Sequence, residues 1–189
     1  DITSPFHAQL MVLLTSEAQQ YGYQVLLCNS FRDYETEMEY FKLLISNQVE
    51  GILFYPVGDM SPKNLYQYMR YVPIVSLNEM PDNSPIPYVC GDERKGGSLA
   101  AERLIRGGCK KILCVGIKED RLVHRYRVEG IMDEARQWGA EIEVYESDKN
   151  YKSSFDRGYG QASDMIRESL RLGGEPLPDG IIAASDATA

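Results

Sequence analysis

The feature that most constrains this chain is the run YVCGDERKGGSLAAERLIRGGCKKILCVG at residues 88–116. A short apolar run ends at Val89-Cys90, and Gly91-Asp92 turns the chain outward. Residues 96–106 then read as a helix, with Leu99, Ala100, Leu104 and Ile105 apolar and Glu102, Arg103 and Arg106 charged. Gly107-Gly108 is a stop signal, because glycine accepts the left-handed conformation that closes a helix. Ile112 to Val115 follows as a strand. Strand–helix–strand order makes a βαβ unit, whose parallel strands need a crossover helix.

The rest of the chain repeats this alternation. A loop at residues 1–7 leads into a helix with Leu10, Leu13, Leu14 and Ala18 on its apolar face. QVLLC at 24–28 reads as a strand, and Asp33 as the cap of a helix carrying Tyr34, Met38, Phe41 and Ile45 inward. GILFY at 51–55 is continuously apolar and too short for a helix, as in a strand covered on both faces. A helix over about 61–70, a strand at 74–77 and a three-proline loop at 81–87 precede the central run. Val128, Ile131, Met132 and Ala135 mark a further helix ended at Trp138-Gly139. Residues 142–145 form a strand, 157–172 a helix and 180–184 (GIIAA) a final strand. Such alternation predicts an α/β fold with parallel sheets. The chain opens on a loop and helix with no strand before them and stops just after a strand, which reads as a fragment.

Composition narrows the function. With 28 acidic against 20 basic residues the formal charge is −8, so no basic stripe is present to displace counterions from DNA or an anionic membrane. No apolar run is long enough for a membrane-spanning helix, and the opening residues lack the pattern of a signal peptide. The 4 cysteines form no CxxC pair. Cys28, Cys90 and Cys114 lie in or beside apolar runs, where cysteine behaves as a small buried hydrophobe. Free thiols favour the cytoplasm. HExxH, GxSxG, GxxxxGK[ST] and GxGxxG are all absent, so no metal, catalytic or cofactor site is expected. Asp33, Glu35, Glu37 and Glu39 read as a solvated acidic helix start.

In open α/β sheets ligands bind beyond the carboxyl ends of the strands. Those ends are Asn29-Ser30, Tyr55, Asn78-Glu79, Asp92, residues 118–127 and Ser185-Asp186. Hydrogen-bonding groups with aromatic plates at Tyr55 and Phe6 suit a neutral polar molecule such as a sugar. Exposed loops carry polar residues in any case, so position alone leaves both readings open. Arg125 and Arg127 stand ahead of the apolar helical positions, where a cation is unfavourable for the helix dipole.

The order of these motifs resembles the effector-binding domain of the lactose-repressor/galactose-repressor family of bacterial transcription regulators, which shares the fold of the type I periplasmic sugar-binding proteins. The matching pieces are SPF at 4–6, YGYQVLLCNS at 21–30, EMEYFKLLISNQVEGILFYP at 37–56, VPIVSLN at 72–78, the run at 91–116, RYRVEGIMDEA at 125–135 and LPDGIIAASD at 177–186. The resemblance implies two Rossmann-like lobes joined by a hinge, residues 1–109 and 110–189, with a small sugar-like effector in the cleft. It implies that the first lobe's leading strand and the segments completing both lobes lie outside this sequence. It also implies a DNA-binding helix-turn-helix module ahead of the chain, a cytoplasmic homodimer and no catalysis. Carried over by position, Phe6 and His7 match a loop that packs on the ligand, and Arg127 matches an arginine that hydrogen-bonds sugar hydroxyls or an anionic effector. Tyr151 matches a second-lobe aromatic, and Asp186 the aspartate of an Asn-Asp pair in which Ser185 replaces the asparagine. Asn78-Glu79 stands where many sugar binders carry Asp-Arg, exchanging a guanidinium for a carboxylate. The alternatives are an extracytoplasmic sugar-binding protein of a transport system and an α/β enzyme using Asp92, His124 or Asp186.

Overall fold

The structure is a computed structural model that describes residues 2, 4–57, 63–117, 121–145, 160, 163–164 and 178–185. Its packing divides the chain into two units, 1–88 and 89–189. The division falls after Tyr88, earlier than the expected boundary at 109/110. The helix that precedes the third strand packs on the helix that follows it, so both belong to the second unit.

In the first unit α1 (Pro5–Gln20) starts three residues ahead of its expected beginning, with proline in its first turn. Proline lacks only a donor that no helix start can satisfy, and its φ is already helical. Leu10, Leu14 and Ala18 are half-buried, but Leu13 is exposed. Next, α2 (Tyr34–Ser46) is capped as expected: the Asp33 carboxylate accepts from the Thr36 N–H at 2.7 Å. Two parallel strands follow, β1 (Ile52–Phe54) and β2 (Ile74–Ser76), separated by α3 (Lys63–Met69). Phe41 of α2 meets Phe54 edge-on at 5.5 Å, stacks on Tyr68 and closes a core with Leu65, Ile74 and Ile86.

Two expected strands behave otherwise. Tyr88 makes a single parallel bridge to Ser76. The 24–28 run pairs with no described strand, and Val25, Leu26 and Leu27 are exposed. A strand exists only through a neighbour's ladder, so apolar composition alone does not make one.

The second unit begins with α4 (Glu93–Arg106), longer by a turn than its expected 96–106 because Asp92 caps it, accepting from the Lys95 N–H at 2.8 Å. A parallel sheet follows in the order β4-β3-β5, with β3 (Lys111–Val115) between β4 (Glu141–Val144) and β5 (Gly180–Ala183). Cys114 packs with Ala101 and Ile131 on one face of β3, while Leu113 and Val115 pack with Tyr145 and Ala183 on the other. A strand covered on both faces must be apolar throughout, which is why ILCV shows no alternation. The Asp179 carboxylate accepts from the Lys110 and Lys111 N–H groups and sets β5 beside β3. These bonds hold that carboxyl below its ordinary range.

Between β3 and β4 runs α5 (Leu122–Trp138), which ends on Gly139 at φ +69, a left-handed closure suited to glycine. Arg127 therefore lies well inside α5, beyond its first turn, and the expected dipole cost does not apply to it. The expected helix at 157–172 lies outside the described residues except for Gly160, Ser163 and Asp164, which are helical.

Two glycines allow α4 and α5 to touch backbone to backbone. A Cβ on Gly97 would stand 2.0 Å from the Arg127 carbonyl oxygen, and one on Gly130 would stand 1.9 Å from that of Arg94. Neither oxygen can swing aside as a side chain would. Gly97→Ala and Gly130→Ala should each cost about 3 kcal/mol or more in urea unfolding followed by far-UV dichroism. Gly96→Ala, with nothing within 4 Å of the added methyl, should instead stabilise the chain by roughly 0.5–1 kcal/mol, the ordinary helix gain.

Candidate functional site

The carboxyl ends of the parallel strands define a candidate surface in each unit. In the first, the proline-initiated start of α1 presents Phe6 and His7. The ring of His7 meets Tyr55, one residue past β1, edge-on at 4.5 Å and meets Phe6 edge-on at 5.3 Å. Three residues expected to contact a ligand are thus one aromatic cluster, with Phe6 outermost at 60% exposure. They sit on a helix turn and a strand end; the expected loop at 6–7 is a helix. Phe6 and Tyr55 offer faces on which the C–H groups of a polar ring can rest.

At the end of β2, buried Ser76 folds the chain back on itself. Its hydroxyl donates to the Asn78 carbonyl at 2.7 Å and accepts from the Asn78 N–H at 3.1 Å. This turn fixes Asn78 and brings the half-buried Glu79 beyond the strand end.

Glu37 was expected on a solvated face and is instead buried, at 7% exposure. It accepts a hydrogen bond from the Val57 backbone, two residues past Tyr55, while its Oε1 has no hydrogen-bond partner among the described residues. Helical spacing places position 37 on the side of Phe41, so the periodicity could have flagged it. Burial pushes its carboxyl up to about 7.

In the second unit the candidate site is built on Arg127. Its Nε donates to Glu93 Oε2 at 2.5 Å, and its Nη1 donates to the Ala184 carbonyl, immediately after β5. Ala184 is itself held by its N–H to the Val115 carbonyl at 2.9 Å. Arg127 is thereby anchored at the carboxyl end of the sheet, against the residue preceding Ser185. Glu93 escaped the sequence reading, although an acidic residue in the first turn of a helix was a usable signal. Asp186 and Tyr151 lie outside the described residues. Asp92 serves as a helix cap.

None of the four cysteines is in a disulfide. Cys114 is buried, and its thiol is pushed up to about 11 by loss of solvent. Cys90, expected in an apolar run, is exposed because the segment around it forms no strand. Among the described residues no group of three or more His, Cys, Asp or Glu could hold a metal ion, and no helix is long and apolar enough to cross a membrane.

Comparison with known proteins identifies the family to which this fold belongs. The family described as periplasmic binding proteins and sugar-binding domain of the LacI family matches residues 1–189. The chain is 29% identical to a ribose operon repressor of Halalkalibacterium halodurans over 100% of its own length and 53% of that protein. It is 25% identical to the transcriptional repressor PurR of Aliivibrio salmonicida over 92% of the chain and 51% of the relative. The chain spans about half the length of these curated relatives. Among solved structures it is similar to the Cra regulator of Pseudomonas putida in complex with fructose 1-phosphate, with TM-score 0.81 and 19% identity over 97% of this chain and 65% of that one. A periplasmic binding protein/LacI regulator of Alkaliphilus metalliredigens complexed with D-xylulofuranose gives TM-score 0.68 and 24% identity over 97% and 73%.

The Glu37 carboxyl implies a pH dependence of stability. Its folded value of about 7 lies above the usual value of ~4.3 in an unfolded chain, so the folded state holds the proton more tightly. Its contribution is complete below about pH 4.3, falls as pH rises to about 7, and levels off above, a loss on the order of 3 kcal/mol. Urea midpoints across pH 4 to 8 should lose most of that slope in Glu37→Gln, which keeps an acceptor for the Val57 N–H.

Proposed function

We propose, from the premise that the chain belongs to the family of periplasmic binding proteins and LacI-family sugar-binding domains, that it is the effector-sensing part of a bacterial transcription regulator. It binds a small polar molecule of the sugar class and passes the binding state to a DNA-binding module outside these residues. The observation that carries the reading is Arg127, held at the end of β5 by Glu93 and the Ala184 carbonyl. An arginine at the carboxyl end of a parallel sheet is where such a fold recognises ligand oxygens. In the first unit, the Phe6–His7–Tyr55 cluster offers an apolar surface of its own at the end of β1. The relatives are transcriptional repressors, one of them of a ribose operon.

In this reading the protein acts in the cytoplasm as a homodimer and performs no catalysis. Regulation requires that the effector bind one arrangement of the protein more tightly than another, since equal affinity shifts nothing. The acidic charge of this segment suits a domain that leaves DNA contact to another module.

A thermal-shift screen of the protein against pentoses, hexoses, their phosphate esters, nucleobases and amino acids tests the reading. A ligand at about 100 times its Kd adds roughly 2.7 kcal/mol of stability, which a melting curve resolves. The expected outcome is a hit among the sugars that is lost in Arg127→Ala. Hits confined to amino acids or nucleobases, or a sugar hit untouched by Arg127→Ala, would contradict it.

A further inference from the structure

We infer that Glu93 sets the charge class of the effector: by pairing with Arg127 it leaves the guanidinium able to donate to uncharged hydroxyls and disfavours a phosphate there. This rests on the reading above, in which Arg127 faces the effector. Arginine holds a phosphate or carboxylate most strongly when two neighbouring N–H groups point at it in parallel. Here the Nε position already donates to a carboxylate, and Nη1 donates to a backbone carbonyl. The two-pronged grip through Nε is therefore taken.

Charge adds to the geometry. The side chains of Arg127 and Glu93 are only 31% and 18% exposed, so their pairing is poorly screened by water and salt. An incoming phosphate would meet the Glu93 carboxylate at close range. The neighbouring cation on α4, Arg94, is engaged by Glu129 and Asp133 and supplies no spare positive charge. A sugar hydroxyl meets no such penalty, since it can accept from the guanidinium and donate to the Glu93 carboxylate at once. The pairing thus selects a polyhydroxylated, uncharged ligand.

The test titrates the full chain calorimetrically with inorganic phosphate, at constant ionic strength, and with ribose and ribose 5-phosphate as a matched pair. Wild type should show no saturable phosphate binding that depends on Arg127. Glu93→Gln should bind phosphate about tenfold or more tightly than wild type, and the double variant with Arg127→Ala should lose that gain. Glu93→Ala is the parallel variant should Glu93→Gln fail to fold. Phosphate binding by wild type that disappears in Arg127→Ala, or a folded Glu93 variant that gains none, overturns the inference. The sugar pair separates the two claims. If ribose 5-phosphate binds wild type as tightly as ribose, the inference fails while the sugar-effector reading stands. If the phosphate gain appears but no uncharged sugar binds wild type, the inference stands and the sugar-effector reading fails.

Discussion

The second unit depends on one close approach, that of α4 to α5 at Gly97 and Gly130. Each glycine lies where the other helix's carbonyl oxygen occupies the space a side chain would need. Side chains normally hold packed helices 8–10 Å apart, and removing them at the crossing point lets the backbones meet. The consequence reaches the site. Glu93 stands at the start of α4 and Arg127 on α5, so their hydrogen bond forms only if the two helices close to this distance. The same packing buries Ala101 and Ile131 against Cys114 of the central strand. Arg94 and Ser98 then reach Asp133 and Glu134 across the crossing. Fold and site share one contact.

The first unit rests on a different principle. Its core is aromatic, with Phe41 set between Phe54 and Tyr68, and its two-stranded sheet brings Tyr55 and Asn78 to one end because the strands are parallel and in register. Glu37 ties α2 to the backbone just beyond Tyr55. An uncompensated carboxyl in that position is costly when ionised, which makes the segment beside the aromatic cluster sensitive to pH.

Much of this architecture was open to reading from periodicity. The helices containing Phe41, Ala101 and Ile131, and the strands at 52–54, 74–76, 111–115, 141–144 and 180–183, lie where apolar spacing and glycine stops put them. The packing division after Tyr88 is not legible in sequence order, which does not reveal which side of a strand a helix packs on. The 24–28 segment has strand composition without a partner among the described residues, and composition cannot supply one. At the candidate site, Phe6, His7 and Tyr55 were identified individually, but their meeting required the early start of α1. Glu93 and Glu37 are only faintly legible in the sequence, for different reasons: one lies between a turn and the expected start of a helix, and the other has acidic neighbours that are exposed.

By itself, the sequence determined the α/β alternation, the parallel strands, the cap at Asp33, and the residue types available at the strand ends. Each follows from local propensity or from spacing along one element, which neighbours in the chain are enough to set. Only tertiary structure decided that Gly97 and Gly130 face each other's helix and that Arg127 is paired before any ligand arrives. Those outcomes depend on residues 30 or more positions apart reaching the same few ångströms. Burial and pairing are properties of that shared space, and they set whether a guanidinium or a carboxyl is free to act.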